Sequence, residues 1–442
     1  MEIPQVDLQG TWTKSIHADG AIVKGPVFLR NGFHADGEVR LLEAHVGGDL
    51  DCHGGSFSGR GGHALSADGV DVRGTVLLSY KFSAQGEVRL VGARVGGHLV
   101  CVDGIFNNPE GNALDADFAQ VGGSVILSRF NAHGNVTLRG ARIEGALDCT
   151  QATFDEATLD VRSARASVLH DDRDLWPQPG KLLLDGFVYG RVASGPKDAP
   201  TRLGWLALQP EEKPFPTQPY LQLAKVLREA GDYAGSVKVL IEMERRRRWQ
   251  GDQGRPDRQA VSWLFRESAG YGYDPARSVW AILALTGVGW ILYRRSYLMG
   301  GMVPTEKDAA GDFQRDGRTP SHYGTFSPLA YSVENAVPLV KLGQADRWQP
   351  NPDPGAWPRR NAKWIRGAGR AQDWPRRLRW LERLLVFVGL LAPVDLKTPP
   401  SRCSRLGTSP RFLRWFLWAQ ILLGWLLATL FVAGVTGIIR KD

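Results

Sequence analysis

The stretch from Gly25 to Phe57, GPVFLRNGFHADGEVRLLEAHVGGDLDCHGGSF, returns from Gly74 to Phe106 as GTVLLSYKFSAQGEVRLVGARVGGHLVCVDGIF, with every landmark shifted by 49 residues. A third copy, GGSVILSRFNAHGNVTLRGARIEGALDCTQATF, carries one deletion. Gly37, Gly86 and Gly134 therefore correspond, as do Cys52, Cys101 and Cys149, and Phe57, Phe106 and Phe154. Inside each copy the apolar residues alternate in pairs: Val136 and Leu138, Ala141 and Ile143, Leu147 and Cys149, Ala152 and Phe154. Alternation with period two means short strands with one inward face, and glycines between the pairs permit corners that a Cβ would obstruct. The pairs recur every five or six residues, so a 49-residue unit reads as two coils of a parallel β-helix, with excursions near Gly54 to Gly62 and Asn107 to Asn112. Neighbouring coils bury each other's faces, and a lone copy could not fold.

Glycine at 52 of 442 residues suits such turn-dense structure, and the absence of a G-X-Y period excludes collagen. The length points to about three domains. Residues 1–160 hold 12 Lys+Arg and 20 Asp+Glu, a net of −8, so the remaining 282 residues carry +16 to reach the overall +8. The chain is acidic first and basic afterwards. Thirteen of the fifteen tryptophans lie beyond residue 200 near long apolar runs, which points the basic part toward lipid rather than nucleic acid. Four cysteines without a C-x-x-C pair supply neither a disulfide scaffold nor a zinc site. Met1 to Gly20 lacks a charged start followed by an apolar core, so the amino-terminal part is expected on the cytoplasmic side.

On the repeat residues, roughly 20–160, the chain resembles the pentapeptide-repeat proteins, whose right-handed β-helices stack a small and a bulky apolar residue at five-residue intervals. Six-residue steps at VGG and EGA depart from that register. The resemblance implies a right-handed β-helix, and we place a solenoid with its end cap at residues 1–193, closed by strands around Lys181 to Val192. Two coils at about 4.8 Å each put successive repeat cysteines about 10 Å apart, beyond disulfide or shared-metal reach. Cys52, Cys101 and Cys149 thus read as core fillers beside Phe57, Phe106 and Phe154. His17, His34, His45, His53, His63, His98 and His133 fall at turns or outer positions without a ligand spacing.

Six prolines between Pro196 and Pro219 mark residues 194–218 as a linker. Residues 219–275 read as a helical hairpin broken at Gly231-Asp232, similar to one tetratricopeptide unit, followed by a basic juxtamembrane segment. The run Arg245, Arg246, Arg247, Arg248 lacks the stacking aromatics of a single-strand binder and is assigned to anionic lipid or solvent, together with Arg294, Arg295, Arg440 and Lys441. Residues 276–442 read as a membrane domain. Its first span, 278–293, is a marginal sixteen residues; its second, 415–439, is twenty-five residues without a charge. An even number of crossings puts the solenoid and the carboxyl terminus together in the cytoplasm. The arginine-dense segment 359–383 then lies outside, against the positive-inside rule, and 384–393 is too short to cross.

Between the spans, FSPLAYSVENAVPLVKLGQADRWQP resembles the pore helix and filter of two-span cation channels. Val340, Lys341, Leu342, Gly343 and Gln344 stand where a potassium filter has its T-V-G-Y-G strand, and a lysine there would repel potassium. The whole combination resembles a bacterial family often labelled membrane-associated oxidoreductases, which implies an enzymatic alternative. Its residues offer little chemistry: Gly59-x-Gly61-x-x-Ala64 sits in a repeat excursion with no helix following, and no P-loop, H-E-x-x-H or G-x-S-x-G motif occurs. The sequence therefore predicts a non-enzymatic, cofactor-free scaffold in the bacterial inner membrane. It would be a homo-oligomer through its membrane domain or hairpin, presenting an acidic β-helix flank to an unidentified protein partner. A degenerate channel regulated by the β-helix is the alternative.

Overall fold

The computed structural model describes residues 4–12, 15–154, 156–251, 255–298, 301–316, 319–351 and 410–436. Two compact units divide the chain, Met1–Gln259 and Ala260–Asp442. The first is a parallel β-solenoid of about eight coils. One coil runs through the short strands Ile22–Val23, Val27–Phe28, His34–Ala35 and Val39–Arg40, which form four sides. On one side Ile22, His45, Asp71, Arg94, Gln120, Arg142, Arg165 and Val188 lie in direct parallel register. Two coils separate Ile22 from Asp71 and Asp71 from Gln120, so the 49-residue period spans two turns, as the apolar pairing requires.

Bulk alternation explains why the repeat is two coils long. Ala35, Phe57, Ala84, Phe106, Ala132 and Phe154 occupy one register column, so a ring in one coil always faces a methyl in the next. The intervening coils place Phe33, Phe82 and Phe130 two residues earlier, and the rings interleave at centroid distances of 5.2, 5.2, 5.1 and 4.7 Å from Phe33 to Phe130. Gly104 precedes Phe106 because a Cβ there would meet the Phe106 ring at 2.7 Å and the Leu78 carbonyl at 2.9 Å. Tight interdigitation of this kind gives the coil stack a single register.

Polar groups lock the same register from outside. The amides of Gly48, Gly74, Gly97, Gly123 and Gly145 each donate to the glycine carbonyl one coil earlier, at 2.7 to 3.1 Å. Beside this ladder Asp49 accepts from the Thr75 amide, the Thr75 hydroxyl from the His98 amide, His98 Nδ1 from the Ser124 amide, and the Ser124 hydroxyl from the Ala146 amide. At another corner Asp19, Asp68 and Asp117, 49 residues apart, bind Arg40, Arg89 and Arg139 of the following coil. The excursions predicted near Gly54 to Gly62 and Asn107 to Asn112 appear as register shifts between Ser58 and His63 and between Asn107 and Asn112.

The carboxyl end of the solenoid is closed by helices. Strands Leu182–Leu183 and Val188–Ser194 form the last coil, as the sequence suggested, but their outer edge is covered. The proline-rich stretch contains helix α1 (Ala199–Leu206), and α2 (Gln218–Glu229) packs with α3 (Tyr233–Gly251) across Gly231. Gln218 accepts from the Gly186 amide and donates to the Phe187 carbonyl, while Gln222 donates to the Tyr189 carbonyl. These amides satisfy edge groups that a bare last strand would leave unpaired. Asp171 occupies the inward column that holds Leu127 and Cys149 in earlier coils. Arg202 of α1, 0% exposed, binds it bidentately at 2.6 and 2.7 Å, and Trp176 Nε1 donates to it at 3.0 Å.

Helix α4 (Pro256–Ala269) starts in the first unit and ends in the second, where α5 (Ala276–Leu298), α6 (Lys307–Asp316), α7 (Pro328–Ala336) and α8 (Pro410–Val435) follow. Two helices, Ala276–Tyr297 and Arg411–Val435, are long and apolar enough to cross a membrane. The first continues through Arg294 and Arg295, which removes the shortfall expected of a sixteen-residue run. Strands Met302–Pro304 and Trp348–Pro350 pair antiparallel, and Trp348 joins Tyr293, Phe313, Phe326 and Tyr331 in an aromatic core.

Arg202→Met should lower stability by about 3–5 kcal/mol, because Asp171 would remain buried and unpaired. The double variant Asp171→Leu, Arg202→Met should recover much of that loss, as read by chemical unfolding of the full chain followed by circular dichroism.

Candidate functional site

Helix α7 links buried polar residues of α5 and α8 in the second unit. Pro328 opens the helix and the Ser327 hydroxyl accepts from the Ala330 amide, a serviceable N-cap. From α7, Ser332 donates to the Thr286 carbonyl of α5 at 2.7 Å. From α8, Gln420 donates to the carbonyl and hydroxyl of Ser332 at 3.2 and 2.9 Å, and accepts from the Tyr293 hydroxyl of α5 at 2.8 Å. Ser332, Gln420 and Tyr293 are fully buried. The cluster joins both long helices through α7, and its internal pairing removes the penalty that unsatisfied polar atoms carry in an apolar layer. Close approach depends on two glycines. A Cβ on Gly289 would meet Ser332 Oγ and Gln420 Nε2, and one on Gly424 would meet the Ala336 carbonyl.

The loop after α7 contains the five residues likened to a filter. Glu334 of α7 accepts from the amides of Gly343, Gln344 and Ala345 at 3.2, 2.7 and 2.9 Å. Gln344 also accepts from the Ser327 amide at 3.0 Å and donates to the Thr325 carbonyl at 3.4 Å, so its side chain folds back on the start of α7. The loop is therefore organised by amides converging on a carboxylate. Val340 is half-buried, Lys341 and Leu342 are exposed, and Leu339, with φ at 80°, is 93% exposed.

Sequence reasoning passed over Glu334, Ser332 and Gln420. Gln420 was the available signal: it interrupts an otherwise apolar run, and a polar residue inside a membrane-length helix marks a packed or functional face. Arg294 and Arg295 belong to the last turns of α5. Arg440 and Lys441, the arginine-dense segment 359–383 and residues 384–393 lie outside the described residues.

In the first unit, the arginine run on α3 is matched within its own helix. Arg245 and Arg246 bind Glu242, and Arg247 and Arg248 bind Glu244, at 2.6 to 3.3 Å. The run thus presents a net of two positive charges rather than four. Cys52, Cys101 and Cys149 are free and buried in alternate coils, between Leu29, Leu78 and Leu127. Burial pushes all three thiols far above the usual thiol range, reinforced by Asp51 beside Cys52 and by Asp171 and Asp148 beside Cys149. Phe57, Phe106 and Phe154 are core residues. The carboxylates at repeat turns act structurally: Asp51 binds Arg30 and His53, and Asp148 accepts from the amide and hydroxyl of Thr150. Gly59 and Ala64 lie in strand Ser56–Ser66, with no helix after it. A dinucleotide-binding turn needs that helix.

No protein-family model matches the chain, and comparison with curated proteins and with solved structures finds no match.

Two outcomes are expected. The solenoid thiols, held as neutral thiols in the core, should be unreactive to iodoacetamide at neutral pH and become reactive only in denaturant. Glu334→Ala should speed tryptic cleavage after Lys341 roughly tenfold in detergent-solubilised protein, since a loss of about 1.4 kcal/mol in loop closure raises the open population by that factor.

Proposed function

We propose that this chain is a non-enzymatic, membrane-anchored scaffold that presents a right-handed, pentapeptide-repeat-like solenoid to a protein partner on the cytoplasmic face of a bacterial inner membrane. The observation that carries the reading is the placement of apolar surface. The solenoid turns most of its apolar residues inward, whereas α5 and α8 expose many of theirs, with Trp280 and Leu422 each 71% exposed and Leu283, Trp415, Trp418 and Trp425 also exposed. Only about a fifth of each long helix's apolar window is buried in the chain, at 22% and 17%. Such helices need lipid or further copies of the chain around them. A solenoid with four flat sides, each carrying a regular column of outward residues, is suited to extended contacts with a partner. Its four-sided coil, with an inward pair of residues on each side, supports the pentapeptide-repeat kinship.

A second reading, an oligomeric channel-like protein gated by the solenoid, is favoured by one observation: α7 sits between α5 and α8 and ends in a loop tied to Glu334. The two readings separate in a pair of experiments on the full chain. Retention in membranes through alkaline carbonate extraction, with protein partners recovered by cross-linking through the solenoid, supports the scaffold. Reproducible unitary currents in planar bilayers, altered by Lys341→Ala, would replace it with the channel. Sidedness requires an engineered exposed cysteine, such as Gln85→Cys, because Cys52 is buried. Labelling of that site by an impermeant reagent in intact cells would refute the cytoplasmic assignment.

A further inference from the structure

Charge is used unequally around the solenoid. Asp19, Asp51, Asp68, Asp103, Asp117 and Asp160 all bind arginines of their own or neighbouring coils. These six of the twenty carboxylates in residues 1–160 are thus engaged with arginines. On the side that carries the column from Ile22 to Val188, the pattern reverses. Arg94, Arg142 and Arg165 stand in that column, and Arg73 follows Asp71 on the same side. Arg191 lies at the adjoining corner, paired in register with Val168. All five are exposed, and among the described residues none of them makes an ion pair. Carboxylates nearby include Asp71, which faces His45 at 3.5 Å, Glu43 at the preceding corner, Glu144, and Asp49, which lies against Gly74 and accepts from the Thr75 amide.

An exposed aromatic ring accompanies the arginines. Phe118, 63% exposed, stands at the corner two residues before Gln120 and has φ at 58°, a conformation in which side chains with a Cβ are uncommon. Its ring lies over Gly140, where a Cβ would come within 2.7 Å of it. The ring is thus seated outside the core, beside the column that holds Arg94 and Arg142.

We propose that this arginine flank docks on the phosphate headgroups of an anionic lipid bilayer. The inference rests on the reading that α5 and α8 hold the chain in a membrane. Coils stack about 4.8 Å apart, so Arg94 to Arg165, three coils, span about 14 Å of a flat side. A flat row of unpaired guanidiniums meets a plane of phosphates without bending, and a neighbouring phenyl ring enters the headgroup layer. A single-stranded nucleic acid calls for a groove and successive stacking platforms, whereas this side is flat and carries one ring. An acidic protein would match the charge and could also cover Phe118, but on the anchor reading a bilayer is the anionic surface held next to the chain.

The test uses the full chain in nanodiscs, with Cys403→Ser and a fluorophore on Gln120→Cys, and reads energy transfer to a trace headgroup acceptor. Discs of phosphatidylcholine are compared with discs that also contain phosphatidylglycerol. Docking predicts higher transfer with the anionic lipid, loss of the increment at high salt, and a weaker response from a fluorophore on Gln85→Cys, which belongs to another side. Arg94→Gln, Arg142→Gln and Arg165→Gln together should abolish the increment, each neutralisation weakening surface association about fivefold. Circular dichroism checks that the variant keeps its β signal. Transfer that ignores both phosphatidylglycerol and the triple variant overturns the proposal while leaving the anchor intact. Binding of oligo-uridylate or of an acidic protein that the triple variant abolishes, without any lipid response, likewise overturns it. Failure of the chain to stay in the discs after a salt wash overturns the anchor and the docking together.

Discussion

The parallel backbone ladder between coils is the constraint from which the solenoid's other features follow. Strands about 4.8 Å apart force every column to accommodate the same kind of side chain again and again, and a phenyl ring at every level of one column would crowd its neighbour. The chain resolves this by moving the ring two residues in alternate coils and filling the vacated slot with Gly55, Gly104 or alanine. The doubled period, the alternation of cysteine with leucine and the spacing of Asp19, Asp68 and Asp117 share this two-coil rhythm.

Such a stack has to stop somewhere, and its end combines two devices. Asp171 puts a carboxylate into a column that was apolar in every coil before it, which a further coil could not cover cheaply. Arg202 supplies the matching charge, flanked by Trp176 and Trp205 at 5.6 and 5.2 Å. Gln218 and Gln222 then occupy the open edge. Burying an ion pair adds little stability by itself, yet the pairing specifies which element may cap the rod. The second unit uses the same logic in apolar surroundings, where Gln420, Ser332 and Tyr293 satisfy one another and so fix how α5, α7 and α8 meet.

Function follows from the distribution of what remains unsatisfied. Inside the first unit six aspartates bind arginines of their own or neighbouring coils, while the exposed arginines of one flank make no ion pair among the described residues. In the second unit, α5 and α8 bury Tyr293 and Gln420 between them and expose much of their apolar surface. This inversion between the two units is the physical basis for reading a water-facing rod and a lipid-facing anchor in one chain.

Much of the fold was legible in the sequence because local periodicity maps directly onto it. The 49-residue self-similarity and the alternating pairs require two stacked coils, and the charge-free run that starts at Trp415 requires a helix, found as Pro410–Val435. The prolines that marked residues 194–218 as a linker do not show α1 (Ala199–Leu206), whose Arg202 caps the rod: proline fixes a torsion but says nothing of what packs on the segment. The charge sum of −8 was a property of composition alone. Which charges are spent between coils and which stay exposed depends on distances between residues more than twenty apart in the chain, and only the tertiary structure sets those. For the same reason Glu334 gave no sequence pattern, and Gln420, though visible as a polar break in an apolar run, gave no sign of its partners, which come from separate elements brought together by packing.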